Sequence, residues 1–204
     1  MEYIAVINGV EYTKVDIVGG SVTRPLMDDL SIGNACEAEL KLQFFAKGEI
    51  PTMAPIVVYV SDEGERRLLG SFYISERYVA SNGMMSVIAY DSMLMADRIW
   101  VPDQKLEFPM GMADAVSIIA NLMGVAIDSR CAFSNSYTID YPANDYTLRN
   151  ILQFIAAAHG GNFVITANNE LLLIPLVGSC PESTNYLVTN EGSAITFGGV
   201  RILV

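Results

Sequence analysis

Histidine is nearly missing from this chain, basic residues are scarce, and no long apolar run occurs. The single histidine is His159. Catalytic zinc needs several converging nitrogen or carboxylate ligands, so one histidine without an H-E-x-x-H string excludes the common zinc hydrolase sites. Twelve basic residues stand against 23 acidic ones, a formal net charge of -11. Such a surface repels a phosphate backbone and argues against specific nucleic-acid binding. The three cysteines, Cys36, Cys131 and Cys180, are far apart and never in a C-x-x-C arrangement, which fits neither a disulfide framework nor a zinc site; they read as buried thiols. A membrane helix needs about 18 or more consecutive apolar residues. The longest uncharged run, Asn150 to Asn169, is broken by Gln153, His159, Gly160, Gly161 and Asn162, so no span is expected. The N-terminus has no basic region followed by an apolar stretch and a cleavage site, and the chain reads as made and kept in the cytoplasm.

Apolar content, by contrast, is spread along the whole chain: 51% of 204 residues are hydrophobic, enough for one substantial core or two smaller ones. Up to about Tyr90 the period is two. Tyr3 to Ile7 and Val10 to Val18 flank an Asn8-Gly9 turn signal, and Gly19-Gly20 and Arg24-Pro25 punctuate the stretch before Cys36. Between Cys36 and Phe45 the residues Cys36, Ala38, Leu40, Leu42 and Phe44 share one face, with Glu37, Glu39, Lys41 and Gln43 on the other. Further strands are predicted at Ile56 to Val60, Leu68 to Glu76 and Met84 to Tyr90, separated by Ser61-Asp62-Glu63-Gly64 and Ser81-Asn82-Gly83. Short strands at this spacing predict a small barrel or sandwich. Asp91 reads as the N-cap of a short helix through Met93, Leu94 and Met95 that plugs or closes the barrel, and Pro102 and Pro109 mark a linker.

Past the linker the period becomes 3.6. Val116, Ile119, Ala120 and Met123 share a helical face that Gly124 ends. A second helix starts after Thr147 and carries Leu148, Ile151, Leu152 and Ile155 on one face before Gly160-Gly161. It is expected to pack on a hairpin, Phe163 to Ala167 and Leu171 to Leu176, turning at Asn168-Asn169, with a further strand near Tyr137 to Asp140. The expected fold class is therefore α+β: a mainly-β, barrel-like domain over residues 1–100, and a small α+β domain with two helices and a hairpin over residues 101–177. Residues 178–204 hold two more β-like stretches, Tyr186 to Thr189 and Ala194 to Val204, candidates to return to and complete the first barrel. The chain stops at Arg201-Ile202-Leu203-Val204, inside an apolar strand pattern, which reads as the end of a truncated chain.

No catalytic, cofactor-binding or metal-binding residue is assigned. His159 falls at the end of the second helix, where an imidazolium would favour the dipole and its free carbonyls. No G-x-S-x-G elbow and no glycine-rich phosphate cradle occurs, and Gly70-Ser71 and Gly178-Ser179-Cys180 lack the flanking pattern. Asp28-Asp29, Glu37 with Glu39, and Asp62 with Glu63 and Glu65 could pair as glycosidase carboxylates, but each lies on a predicted wet face or turn. Met84, Met85, Met93 and Met95 read as core filler or as an adaptable binding surface. Trp100 reads equally as an interdomain packing residue or an interface anchor.

Three strings, read in order, carry a resemblance: Leu69-Gly70-Ser71-Phe72-Tyr73-Ile74, Val87-Ile88-Ala89-Tyr90-Asp91-Ser92-Met93, and Tyr146-Thr147-Leu148-Arg149-Asn150-Ile151-Leu152-Gln153-Phe154-Ile155-Ala156, followed by Gly160-Gly161-Asn162-Phe163. Together with Ser31-Ile32-Gly33-Asn34-Ala35-Cys36 before Ala38-Glu39-Leu40, they resemble phage tail baseplate hub proteins of the late control D type and the N-terminal hub part of tail-associated lysins. The resemblance implies a structural, non-enzymatic component of a phage or prophage tail, located in the virion baseplate and assembled in the bacterial cytoplasm. It implies a homotrimer whose two barrel-like domains per subunit adapt the sixfold tail tube to the threefold tail tip. The implied partners are a tail tube or distal tail protein and a spike, fibre or tape-measure protein, with no cofactor. A second barrel, usual in the family, is not found in this chain. The acidic excess reads as solubility or, on this resemblance, as a negative lining past which DNA slides. The alternatives are a tail-associated cell-wall hydrolase and the hub of a related contractile injection system.

Overall fold

A computed structural model describes residues 2–26, 31–62, 64–101, 106–134, 136–141 and 145–176, with two short strands near the C-terminus. The main element is a seven-stranded antiparallel sheet built from β1 (Glu2–Ile7), β2 (Val10–Tyr12), β3 (Ile17–Thr23), β4 (Glu39–Phe45), β5 (Pro55–Asp62), β6 (Glu65–Val79) and β7 (Met84–Tyr90). Their order is β2-β1-β5-β6-β7-β4-β3. Alternation decides which face turns inward: on β4, Leu40, Leu42 and Phe44 are buried while Lys41, Gln43 and Phe45 are exposed.

The inward face is curled on itself. Tyr12 on β2 and Phe44 on β4 lie near opposite edges of the sheet order, yet their rings meet edge to face at 5.0 Å. The ladder itself does not close: no pairing joins the two outer strands among the described residues, so the expected barrel is replaced by an open, curled sheet. The reason lies between Tyr12 and Ile17, where a single strand was expected from Val10 to Val18. Asp16 accepts a hydrogen bond from the Thr13 backbone N–H at 2.9 Å, and the Ile17 N–H bonds the Thr13 carbonyl. This tight turn ends β2 after three residues. Gly19 and Gly20, read as punctuation, instead lie inside β3. A Cβ on Gly20 would come within 2.9 Å of both Leu42 Cδ1 and the Lys41 carbonyl, so the small residue permits close approach of β3 to β4.

The Asn8-Gly9 turn forms as predicted, both residues with positive φ, 48° and 81°, the signature of a two-residue hairpin loop. Asp91 caps a 3₁₀ helix, Ser92–Asp97, by accepting from the Met93 N–H at 2.9 Å. That helix does not plug the sheet. Its buried Met93 and Ala96 belong to a second apolar core with Trp100 and the two helices.

The second core is formed by β8 (Met110–Gly111), α1 (Met112–Met123), β9 (Ala126–Ile127), β10 (Thr138–Ile139), α2 (Leu148–Ala158), β11 (Gly161–Ile165) and β12 (Glu170–Pro175). Gly124 ends α1 in the left-handed conformation, φ 74°. Thr147 and Asn150 form a reciprocal capping box on α2. Every residue assigned to the two helical apolar faces is buried. The strand near Tyr137 pairs with β8 and not with the hairpin, whose third strand is β9, parallel to β12. Two residues are too few for periodicity to register, so β9 left no signal in the sequence. Near the C-terminus β13 (Thr196–Phe197) pairs antiparallel with β14 (Val200–Arg201). The remainder of the expected return segment, together with Cys180, Asp28, Asp29, Glu63 and Pro102, lies outside the described residues.

Candidate functional site: the joint between sheet and helices

All but one of the strings that carried the resemblance meet at one place, Leu69 to Ile74 lying instead within β6. Gly33, Asn34 and Ala35 run beside β11: the Phe163 N–H donates to the Asn34 carbonyl at 2.8 Å, the Cys36 N–H to the Phe163 carbonyl at 2.8 Å, and the Gly33 N–H to the Gly161 carbonyl at 2.9 Å. Gly33, at φ 87°, would place a Cβ 2.9 Å from that of Ala157 on α2. Only glycine lets this segment lie so close to the helix.

Asn162 is fully buried and serves both sides of the joint. Its Oδ1 accepts from the Asn34 N–H at 2.8 Å, and its Nδ2 donates to the carbonyls of Leu26 at 2.8 Å and Ser31 at 3.2 Å. One buried amide thus serves three backbone groups, two of which, the Ser31 and Leu26 carbonyls, also accept from Asn34 Nδ2 and the Cys36 thiol.

Asp91, 4% exposed, ties the first core to the second. Its Oδ2 accepts from the Ala38 N–H at 2.8 Å and its Oδ1 from the Met93 N–H. Burial pushes its carboxyl up to about 6, against the two backbone N–H groups that favour the charged form.

Arg149, on the first turn of α2, closes the joint. It donates to the Ala35 carbonyl at 2.9 Å, the Met93 carbonyl at 3.2 Å, Glu37 at 2.7 Å, and Asp97 at 2.5 and 3.0 Å. The planar fork suits this divergent set of acceptors in a way an ammonium does not. Trp100, 2% exposed, lies in the second core, and its backbone N–H donates to the Tyr146 carbonyl at 2.8 Å. It is a packing residue; the interface-anchor reading of its side chain is set aside.

The candidate chemical groups are placed as structural ones. Glu37 pairs with Arg149 and Glu39 with Lys41, so this carboxylate pair is held in separate ion pairs. Glu65 is exposed at the start of β6, and Asp62 ends β5. His159 is the C-cap of α2, as placed from sequence, but as a neutral ring: Nε2 accepts from the Ser134 N–H at 3.0 Å, which leaves Nδ1–H to donate to the Ile155 carbonyl at 2.9 Å. Edge contacts with Phe133 and Tyr137 hold it in place. Cys36 is buried; Cys131 is half-buried, and burial pushes its thiol up. Met93 and Met85 are buried, while Met84 and Met95 are partly so. No three His, Cys, Asp or Glu side chains converge to hold a metal ion among the described residues, and no described helix is long and apolar enough to cross a membrane.

Sequence reasoning missed Asn162, Arg149 and Glu37 as a unit. Their partners lie more than a hundred positions away along the chain, and no local pattern announces such pairs.

A mixed architecture, a curled antiparallel sheet joined to a helix-hairpin unit, is thus the class this chain defines. It is similar in fold to the 43 kDa tail protein of prophage MuSo2 from Shewanella oneidensis, with TM-score 0.64, 13% identity, and coverage of 94% of this chain and 59% of that one. It is also similar to the tail protein from Neisseria meningitidis MC58 (TM-score 0.59, 14% identity, 91% and 59%) and to prophage tail protein gp18 from Listeria monocytogenes EGD-e (0.52, 12%, 93% and 55%). The chain spans less than three-fifths of the length of each of these solved structures. No protein-family model matches it, and no curated protein matches it in sequence.

Proposed function

We propose that this chain is a structural component of a phage or prophage tail, of the baseplate hub type. One observation carries the reading: residues from most of the motifs that resemble hub proteins, Asn34 to Cys36, Asp91 to Met93, Arg149 and Asn162 with Phe163, form the joint, in a fold shared with three tail proteins over at least 91% of this chain. The motif residues therefore do mechanical work, fixing one unit on another, and the identifiable polar clusters are satisfied within the fold. On this reading residues 1–100 and 101–177 are the two units of a hub subunit. Three subunits form a ring that meets the sixfold tube on one side and a spike, fibre or tape-measure protein on the other. The chain has no catalytic role, and its net charge of -11 gives passing DNA a repelling wall.

Deletion of the gene from the phage or prophage that carries it, with a tagged copy supplied in trans, tests this. Tailed particles are expected to be lost on deletion and restored by the tagged copy, with gold label at the tail tip. Complete tails in the deletion strain, or label confined to heads or fibres, contradict it.

A further inference from the structure

The chain contains two Asn-Gly steps, Asn8-Gly9 and Asn82-Gly83, both in exposed hairpin turns. Such a step carries its own reaction. The glycine nitrogen attacks the side-chain carbonyl carbon of the asparagine, a C–N bond forms, and the side-chain nitrogen leaves as ammonia. Water then opens the resulting succinimide to aspartate or to isoaspartate, according to which carbonyl it attacks. Glycine favours the first step because no Cβ shields its nitrogen. The fold shields neither site here, since a Cβ built on Gly9 or on Gly83 meets nothing within 4 Å.

Hydrogen bonding separates the two turns. At the second, Asn82 Oδ1 accepts from the Met84 N–H at 3.1 Å and the Gly83 N–H donates to the Ala80 carbonyl at 2.9 Å. The attacked group and the attacking nitrogen are therefore both engaged, and both bonds must be given up before they react. At the first, neither the Asn8 side-chain amide nor the Gly9 N–H has a partner among the described residues. The bond that Asn8 does make, from its own N–H to the Pro55 carbonyl at 2.9 Å, lies on the far side of the residue from the reacting peptide.

We propose that Asn8 is a site of spontaneous deamidation, selected over Asn82 by the fold, and that its isoaspartyl product unfastens β2. Isoaspartate carries its Cβ in the main chain and so lengthens the backbone of the turn by a methylene. The turn has no slack to absorb it: its two residues, at φ 48° and 81°, set Ile7 opposite Val10. Beyond it β2 is held to β1 only at Ala5↔Tyr12, Val6↔Glu11 and Ile7↔Val10. Tyr12 is the buried end of that short strand; its hydroxyl accepts from the Lys47 N–H at 3.1 Å and its ring meets Phe44. A change in an exposed turn is thereby passed to a contact inside the curled sheet. The inference rests on the two turns and does not depend on the tail reading.

Ageing the whole chain in mildly alkaline buffer, with the peptide around each turn followed by mass spectrometry, tests the assignment. Conversion at Asn8 is expected to run about tenfold faster than at Asn82, the cost of giving up two hydrogen bonds at the second site. In concentrated urea, where both turns are lost, the two rates should converge. Equal rates in the folded chain, faster conversion at Asn82, or a difference that persists in urea overturns the assignment. Hydrogen–deuterium exchange of the aged protein reads the consequence. Val10 to Tyr12 should exchange faster in the isoaspartyl fraction while β6 and β7 stay protected. Asn8→Asp, which adds the charge without lengthening the chain, should keep Val10 to Tyr12 protected. Unchanged exchange in the isoaspartyl fraction, or the same loss in Asn8→Asp, overturns the unfastening of β2.

Discussion

Arg149→Ala is expected to destabilise the protein by about 3 kcal/mol, the lower end of the cost of breaking a buried ion pair from one side. The lower end applies because Glu37 and Asp97 remain 34% and 51% exposed and can rehydrate. The carbonyls of Ala35 and Met93 lose a charged donor at the same time. Arg149→Lys should recover less than half of the loss, since one ammonium cannot reach two backbone carbonyls and two carboxylates on separate segments. Urea unfolding of the three proteins measures this. An effect below about 0.5 kcal/mol for Arg149→Ala, typical of an ordinary surface substitution, would show that the joint is not held there.

The second large effect is at Asp91 and depends on pH. Its folded value, about 6, lies above the ordinary 3.8, so the folded state binds a proton more tightly than the unfolded one. The resulting stability is fully present below about pH 4 and is lost as pH rises through about 6, amounting to at most about 3 kcal/mol. Asp91→Ala removes this titration while leaving every other acidic group in both proteins. The stability gap between the two is therefore expected to be widest near pH 4 and to narrow towards pH 7. It should not vanish there, because the Ala38 and Met93 N–H groups lose their acceptors at any pH, costing about 1–3 kcal/mol. A gap that does not change between pH 4 and pH 7 contradicts the account.

Local signals were legible in the sequence because their physics is local. The Asn8-Gly9 turn, the Thr147 cap, the Gly124 stop and the burial alternation of β4 each depend on residues within a few positions. That the sheet stays open was not legible, since it depends on a four-residue turn at Thr13–Asp16 that splits one apolar run into strands on two different partners. The 3₁₀ helix was foreseen as an element and misplaced as a plug. Met93 and Ala96 are apolar enough for either core, and the bonds of Asp91 and Arg149 that tie this helix in place come from partners more than fifty positions away along the chain. The joint itself was visible as motifs before it was visible as contacts. Gly33, Asp91, Arg149 and Asn162 all fall within the quoted strings, but the bonds between those strings appear only once the chain is folded.

The reading as a ring-forming structural protein is tested most directly by the mass of the purified chain in solution, measured by light scattering across a wide concentration range. The subunit is 22.2 kDa, and the account predicts a concentration-stable species of about three times that mass. A monomer at every concentration would contradict ring formation by this chain.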